Sequence, residues 1–122
     1  MDKITVIVPC YNEEEVLPLF YREAEKIRAS MEDVEFEYLF VNDGSSDRTL
    51  SMLREMSVSD ERVKYVSFSR NFGKESAMYA GMEAAAGDYV VTYIVSRFAD
   101  GKDWLEKALA KKKETAVAEK AE

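Results

Sequence analysis

The sequence predicts an α/β fold with a mainly parallel four-stranded sheet flanked by helices, and three observations carry that prediction. Short apolar runs rich in β-branched residues alternate with longer segments of helical periodicity. Each of the first three runs ends in a polar loop of turn-forming residues. Strands separated by helices imply parallel neighbours joined by right-handed crossovers.

Ile4 to Val8, closed by Pro9, is the first predicted strand. Asn12 is the expected cap of a helix whose positive end suits Glu13, Glu14 and Glu15, with Val16, Leu17, Phe20, Ala24 and Ile27 on one apolar face. Phe36 to Val41 is the second strand. Asp47 is expected to open a helix that turns Leu50, Leu53 and Met56 inward, and Val63 to Phe68 is the third strand. Lys74 to Ala86, rich in Ala, Met and Gly, predicts a helix packed closely on the sheet. Gly87-Asp88 turns into a fourth strand, Tyr89 to Val95. After Ser96 the character changes. Asp103 could cap a last helix with Trp104, Leu105, Ala108 and Leu109, while Lys111-Lys112-Lys113 and the run beyond show little apolar period. The expected organisation is a folded unit over 1–96 and a helical or disordered tail over 97–122.

Length and charge narrow the function. A chain of 122 residues has room for one core. Its lone Cys10 excludes an internal disulfide and points to a reducing compartment, so a cytoplasmic location is expected. No run approaches the roughly 18 apolar residues of a spanning helix, and the N-terminus enters a strand without a signal-peptide layout. Residues 1–101 carry eleven basic against nineteen acidic side chains, which disfavours nucleic acid and anionic surfaces as partners. With no histidine, acid–base work would fall to carboxylates, Lys or Tyr.

In an open parallel sheet, ligands bind beyond the carboxyl ends of the strands. The residues there are Pro9-Cys10-Tyr11-Asn12-Glu13-Glu14, then Asn42-Asp43-Gly44-Ser45-Ser46-Asp47, then Ser69-Arg70-Asn71-Phe72-Gly73-Lys74. An aspartate at such an edge accepts hydrogen bonds from a base, a tyrosine lies along a base or ribose, and Arg70 or Lys74 meets a diphosphate. Each piece alone also has a plain structural account. Asn42-Asp43-Gly44-Ser45 is a turn sequence, Asp47 is a helix cap, Glu13 to Glu15 are helix-start charges, and Arg70 and Lys74 are solvated loop cations.

The ordered combination resembles a known family. Ile4 to Glu14 followed by Val41 to Thr49 is similar to the opening of family 2 glycosyltransferases, whose fold is the Rossmann-like GT-A type. Arg70-Asn71-Phe72-Gly73-Lys74-Glu75 with Ala77, Ala80 and Gly81 resembles the polyprenyl-phosphate branch, which includes dolichyl-phosphate mannose synthase-like enzymes. The likeness spans residues 3–91. It implies that Pro9, Tyr11 and Glu13 line a nucleotide pocket, that Asp43 binds the base, and that Lys74 and Asp88 lie near the sugar nucleotide. The implied reaction moves a sugar from a nucleoside-diphosphate sugar to polyprenyl phosphate, at the inner face of the membrane.

The same resemblance leads to an expected Asp-x-Asp motif at the end of the fourth strand, whose carboxylates would hold Mg²⁺ or Mn²⁺ against the diphosphate. Ile94, Val95 and Ser96 stand in its place, so metal ligands are missing at these positions, and Asp100 and Asp103 fit a turn and a cap better than a substitute pair. Nothing in the chain matches the family's acceptor-binding half or its catalytic base. The expectation is therefore a fold incomplete relative to the family, from a truncated or frameshifted frame or a fragment with an unrelated tail, with no catalytic residue to name. Its alternative function is an inactive nucleotide-binding module, or a homodimer that pairs through the exposed fourth strand and Tyr93-Ile94-Val95. A receiver-like or dinucleotide-binding domain fits less well, because no Gly-x-Gly-x-x-Gly follows the first strand.

Overall fold

A computed structural model describes residues 2–92. The expected Tyr93-Ile94-Val95 edge, the Asp-x-Asp positions, Asp100, Asp103 and the 97–122 tail lie outside the described residues. Four strands, β1 (Asp2–Cys10), β2 (Val34–Asn42), β3 (Val63–Ser67) and β4 (Tyr89–Thr92), form one all-parallel sheet in the order β3-β2-β1-β4. The helices between them are α1 (Leu17–Ala29), α2 (Thr49–Ser59) and α3 (Lys74–Ala84).

The chain order fixes which face each helix covers. From β1 to β2 to β3 the strands step in one direction, so right-handed crossovers put α1 and α2 on the same face. The step from β3 to β4 reverses, passing back to the far side of β1, and α3 must therefore lie on the opposite face. Strand alternation agrees. Ile4, Val6, Val8 and Cys10 of β1, Phe36, Tyr38 and Phe40 of β2, and Val91 of β4 pack with Leu17, Phe20, Ala24 and Leu53 of the first two helices. On the other face Ile7 meets Gly81 of α3 so closely that a Cβ there would lie 2.4 Å from Ile7 Cγ2. Phe36, Tyr38 and Phe40 form an aromatic column along β2, with Phe20 edge-on to Phe40 at 6.2 Å between ring centroids. The buried Tyr38 hydroxyl donates to Glu25 Oε2 at 2.6 Å, so the column has no unsatisfied polar end.

β1 and β2 extend beyond the apolar runs that announced them, because the ladder continues through polar residues from Asp2↔Val34 to Cys10↔Asn42. α2 starts at Thr49, with Asp47 Oδ1 accepting from Thr49 N at 2.9 Å. Leu53 and Thr49 are its buried residues, while Leu50 is only half-buried. The start of α1 requires a larger correction. Asn12 does not cap it, and no acidic residue lies in its first turn. Asn12 adopts φ 54°, Glu13 to Val16 make a tight turn closed on the Glu13 carbonyl, and the helix begins at Leu17 with Pro18 in its first turn. The left-handed Asn12 turns the chain away from helix, and Pro18 is suited to a position where its missing N–H has no helical partner.

Candidate functional site

Three loops leave the carboxyl ends of β1, β2 and β3 on the same edge of the sheet, and the first two are laced together. Asn12 N donates to Ser45 Oγ at 2.9 Å, Glu13 N to Thr49 Oγ1 at 2.9 Å and Glu14 N to Asp47 Oδ2 at 3.2 Å. In return, Ser46 N at 2.8 Å and Asp47 N at 3.3 Å donate to Asn12 Oδ1, and Arg48 N donates to Glu14 Oε1 at 2.9 Å. Most of the polar residues in these two motifs thus hold the loops to each other. That leaves only a few of them to face a ligand.

The third loop is tied to the second through one side chain. Asp43, 3% exposed, accepts from Phe72 N at 2.8 Å, Gly73 N at 3.0 Å and Asn71 Nδ2 at 3.1 Å. Its own N–H donates to the Cys10 carbonyl at 2.8 Å, which also ties it to the end of β1. A negative carboxylate at the amides of residues 72 and 73 also lies at the positive start of α3.

Between these loops lies a cavity of about 340 Å³, lined by Pro9, Cys10, Tyr11, Glu13, Asp43, Asn71, Gly73 and Lys74. Five of the six residues expected at a nucleotide site, Pro9, Tyr11, Glu13, Asp43 and Lys74, are brought together here. Asp88 is not. It precedes β4 rather than following a strand, and its carboxylate accepts from Lys3 N at 2.9 Å at the opposite edge of the sheet. Cys10 is seven steps beyond Lys3 along β1, about 23 Å at the usual strand rise. Arg70 is also outside the lining, its guanidinium 4.6 Å from the centre of the Phe72 ring.

Cys10, Asn71 and Gly73 line the cavity without having been singled out from the sequence. The signal for Asn71 and Gly73 was their place in the same motif as Lys74. Cys10, between Pro9 and Tyr11, gave none, because a lone apolar-run cysteine reads as core. Burial, reinforced by Glu13 and Asp47, pushes the Cys10 thiol far above the usual thiol range, and Sγ donates to the Val8 carbonyl at 3.4 Å. It is a neutral wall rather than a nucleophile.

A second hollow beside Glu13 is lined by Asn12, Glu13, Glu14, Glu15, Val16 and Asp47. Its lining is acidic, whereas the first cavity sets Lys74 and the start of α3 beside Asp43 and Glu13. Burial first, and then Asp47, raise the Glu13 carboxyl above the usual range. Glu13 borders both spaces.

Among the described residues, no cluster of three or more Asp, Glu, Cys or His side chains could hold a metal ion. Nor is any helix among them long and apolar enough to cross a membrane.

Comparison with known proteins agrees with the fold. The bactoprenol glucosyl transferase of Shigella phage SfV is 45% identical over 89 residues, covering 73% of this chain and 29% of that protein. The undecaprenyl-phosphate 4-deoxy-4-formamido-L-arabinose transferase of Proteus mirabilis is 40% identical over 93 residues, covering 75% of this chain and 28% of that protein. The chain thus spans less than a third of the length of these relatives. Among solved structures, S. aureus TarS 1-349 in complex with UDP-GlcNAc superimposes with a TM-score of 0.67 at 27% identity, over 92% of this chain and 31% of that one. The mannosyltransferase PcManGT of Pyrobaculum calidifontis, in complex with GDP-Man and Mn²⁺, gives 0.59 at 28% identity, over 77% and 27%. The sheet and its helices are of the GT-A-like type that these neighbours share. A family model described as glycosyl transferase family 2 matches residues 5–118, and this chain belongs to that family.

Proposed function

We propose that the cavity between the three loops is the donor pocket of a glycosyltransferase that moves a sugar from a nucleoside diphosphate to a polyprenyl phosphate. The carrying observation is the convergence of Pro9, Tyr11, Glu13, Asp43 and Lys74 from separate loops on one cavity at the carboxyl edge of a parallel sheet. That cavity is at the small end of the range, about 300–1,000 Å³, typical of ligand sites. It is large enough for a nucleoside, with the diphosphate directed towards α3.

Each lining group has a distinct part in this reading. Tyr11, about half exposed, offers a ring face to a base or ribose. Asp43 accepts a hydrogen bond from the base, and Glu13 faces the ribose hydroxyls. Lys74, at the first turn of α3, adds a cation to the positive helix end where the diphosphate would lie. Asp88, at the far edge, has no part. The bactoprenol and undecaprenyl-phosphate relatives support a membrane-linked acceptor, and with it a reaction at a membrane face. Relatives bound to UDP-GlcNAc or to GDP-Man with Mn²⁺ support a nucleotide-sugar donor and a divalent ion.

Isothermal titration of the chain with UDP and GDP, each with and without Mn²⁺, tests the pocket, with Asp43→Ala as the control. The expected result is binding of one nucleotide that is weakened at least tenfold in the variant. An unaltered affinity in Asp43→Ala would move the site elsewhere. Binding without sugar transfer to a polyprenyl phosphate would favour a nucleotide-binding module over an enzyme, the reading suggested by Ile94 and Ser96 at the expected metal-binding positions.

A further inference from the structure

Asn71 contacts Asp43 in a way that neither Phe72 nor Gly73 does. Its Nδ2 is 3.1 Å from the backbone carbonyl oxygen of Asp43 and 3.1 Å from Asp43 Oδ2. Both partners are acceptors only, so the amide has a single sensible orientation, since its flip would set oxygen against oxygen at both contacts. One carboxamide therefore spans the main chain and the side chain of the same residue. This fixes the rotation of the Asp43 carboxylate relative to its own backbone.

That rotation matters because little of the carboxylate is free. Two carboxylate oxygens offer about four acceptor directions, and the donors at residues 71, 72 and 73 occupy three of them. The remaining direction is on Oδ1, which among the described residues bonds only to Phe72 N. A small rotation would move this one acceptor and release the two amides that lead into Lys74.

We propose that Asn71 is a positioning residue of the pocket, acting through Asp43. By bridging the Asp43 carbonyl and carboxylate it aims the last acceptor of Asp43 and anchors Phe72, Gly73 and the start of α3. The inference rests on the nucleotide-pocket reading for its effect on binding, and on geometry alone for its effect on the loop.

Two measurements separate these parts. The first titrates UDP and GDP into Asn71→Ala and Asn71→Asp, and into Asn71→Ala combined with Asp43→Ala. Asn71→Ala weakens binding about tenfold in the native background, as expected for one hydrogen bond to a charged group, and adds nothing once Asp43 is gone. Asn71→Asp sets two carboxylates together. Its affinity falls below that of Asn71→Ala, because charge repulsion is added to the lost hydrogen bond. A packing role would instead leave the nearly isosteric Asn71→Asp milder than Asn71→Ala. The second measurement follows hydrogen exchange of the Phe72 and Gly73 amides without ligand, where Asn71→Ala speeds exchange at both and leaves β1 unchanged. Equal losses in both backgrounds, or unchanged exchange at these amides, would overturn the proposal. If the native chain binds neither nucleotide, the pocket reading fails, and the exchange result still decides whether Asn71 positions Asp43.

Discussion

At Gly44 a single hydrogen in place of a side chain sets the distance between two loops. Its φ is +70°, and a Cβ built there would lie 2.2 Å from the Arg70 carbonyl carbon and 2.3 Å from Asn71 N. Both are backbone atoms, so no side-chain rotation makes room. Gly73 provides the contrast, with φ +107° and nothing within 4 Å of a built Cβ. Gly44→Ala is therefore expected to lower stability by about 1–3 kcal/mol through strain and to displace the third loop, weakening nucleotide binding as well. Gly73→Ala should incur backbone strain without the clash. Urea midpoints and titrations of the two variants check this, and equal losses of affinity would show that close approach at Gly44 does not shape the pocket. The sequence showed that glycine suits an Asn-Asp-Gly-Ser turn, but not that another loop passes over it, because that neighbour is 26 residues away along the chain. Asp88 shows the reverse limit. The resemblance named it, but a residue that precedes a strand in a parallel sheet lies on the edge opposite to one that follows it.

At the scale of elements, the strand-and-helix rhythm was legible because apolar periodicity reports burial, and burial here follows from the sheet and its two covered faces. The start of α1 was not legible. Asn12 and three glutamates look like a cap and a favourable first turn, yet Asn12, Glu13 and Glu14 bond to Ser45, Ser46, Asp47, Arg48 and Thr49, which only the folded chain brings near. Side chains that could cap their own helix were used to join two loops instead. The Ala, Met and Gly composition of α3, by contrast, correctly indicated close packing on the sheet. Gly81 is the point of closest approach, where a Cβ would lie 2.4 Å from Ile7 Cγ2. Two effects oppose each other in Gly81→Ala. Helix propensity favours alanine by about 1 kcal/mol. Overpacking costs about 1–3 kcal/mol, and Ile7 is fully buried and β-branched, so it has little freedom to yield. The variant should lose stability on balance, and a thermal midpoint at or above that of the native chain would mean that α3 can lift away from β1. Such a lift would also move Lys74, so affinity for nucleotide serves as the second readout.

For the molecule as a whole, buried ionisable groups on the two faces of the sheet predict a stability plateau bounded at both ends of the pH scale. On the α3 face, Glu37 is 3% exposed and accepts from Lys64 Nζ at 2.9 Å and Thr5 Oγ1 at 3.0 Å, with Lys3 Nζ at 3.2 Å. Burial alone would raise its pKa, but the Lys64, Lys3 and Thr5 hydrogen bonds outweigh it and bring the carboxyl down to about 2. A carboxyl depressed in the folded state contributes stability that is present above its unfolded value, near 4.5, and lost as pH falls towards about 2. At about 1.4 kcal/mol per pH unit this amounts to roughly 3.5 kcal/mol at most, and less where water screens Lys64. Glu25 and Asp60, also depressed by their hydrogen bonds to Arg62, steepen the same acid limb. At the alkaline end the sign reverses. Burial raises the Cys10 thiol and the Tyr21 hydroxyl, the latter to about 12, so the unfolded chain ionises first and stability falls from about pH 9 upward. Urea midpoints measured from pH 3 to pH 10 should therefore be flat between about 5 and 9 and decline on both sides. Glu37→Gln should lower the plateau and flatten the acid limb, whereas Cys10→Ala should delay the alkaline decline and leave the acid limb unchanged. An acid limb of native steepness in Glu37→Gln would transfer the acid sensitivity to the Glu25–Asp60–Arg62 cluster on the other face of the sheet.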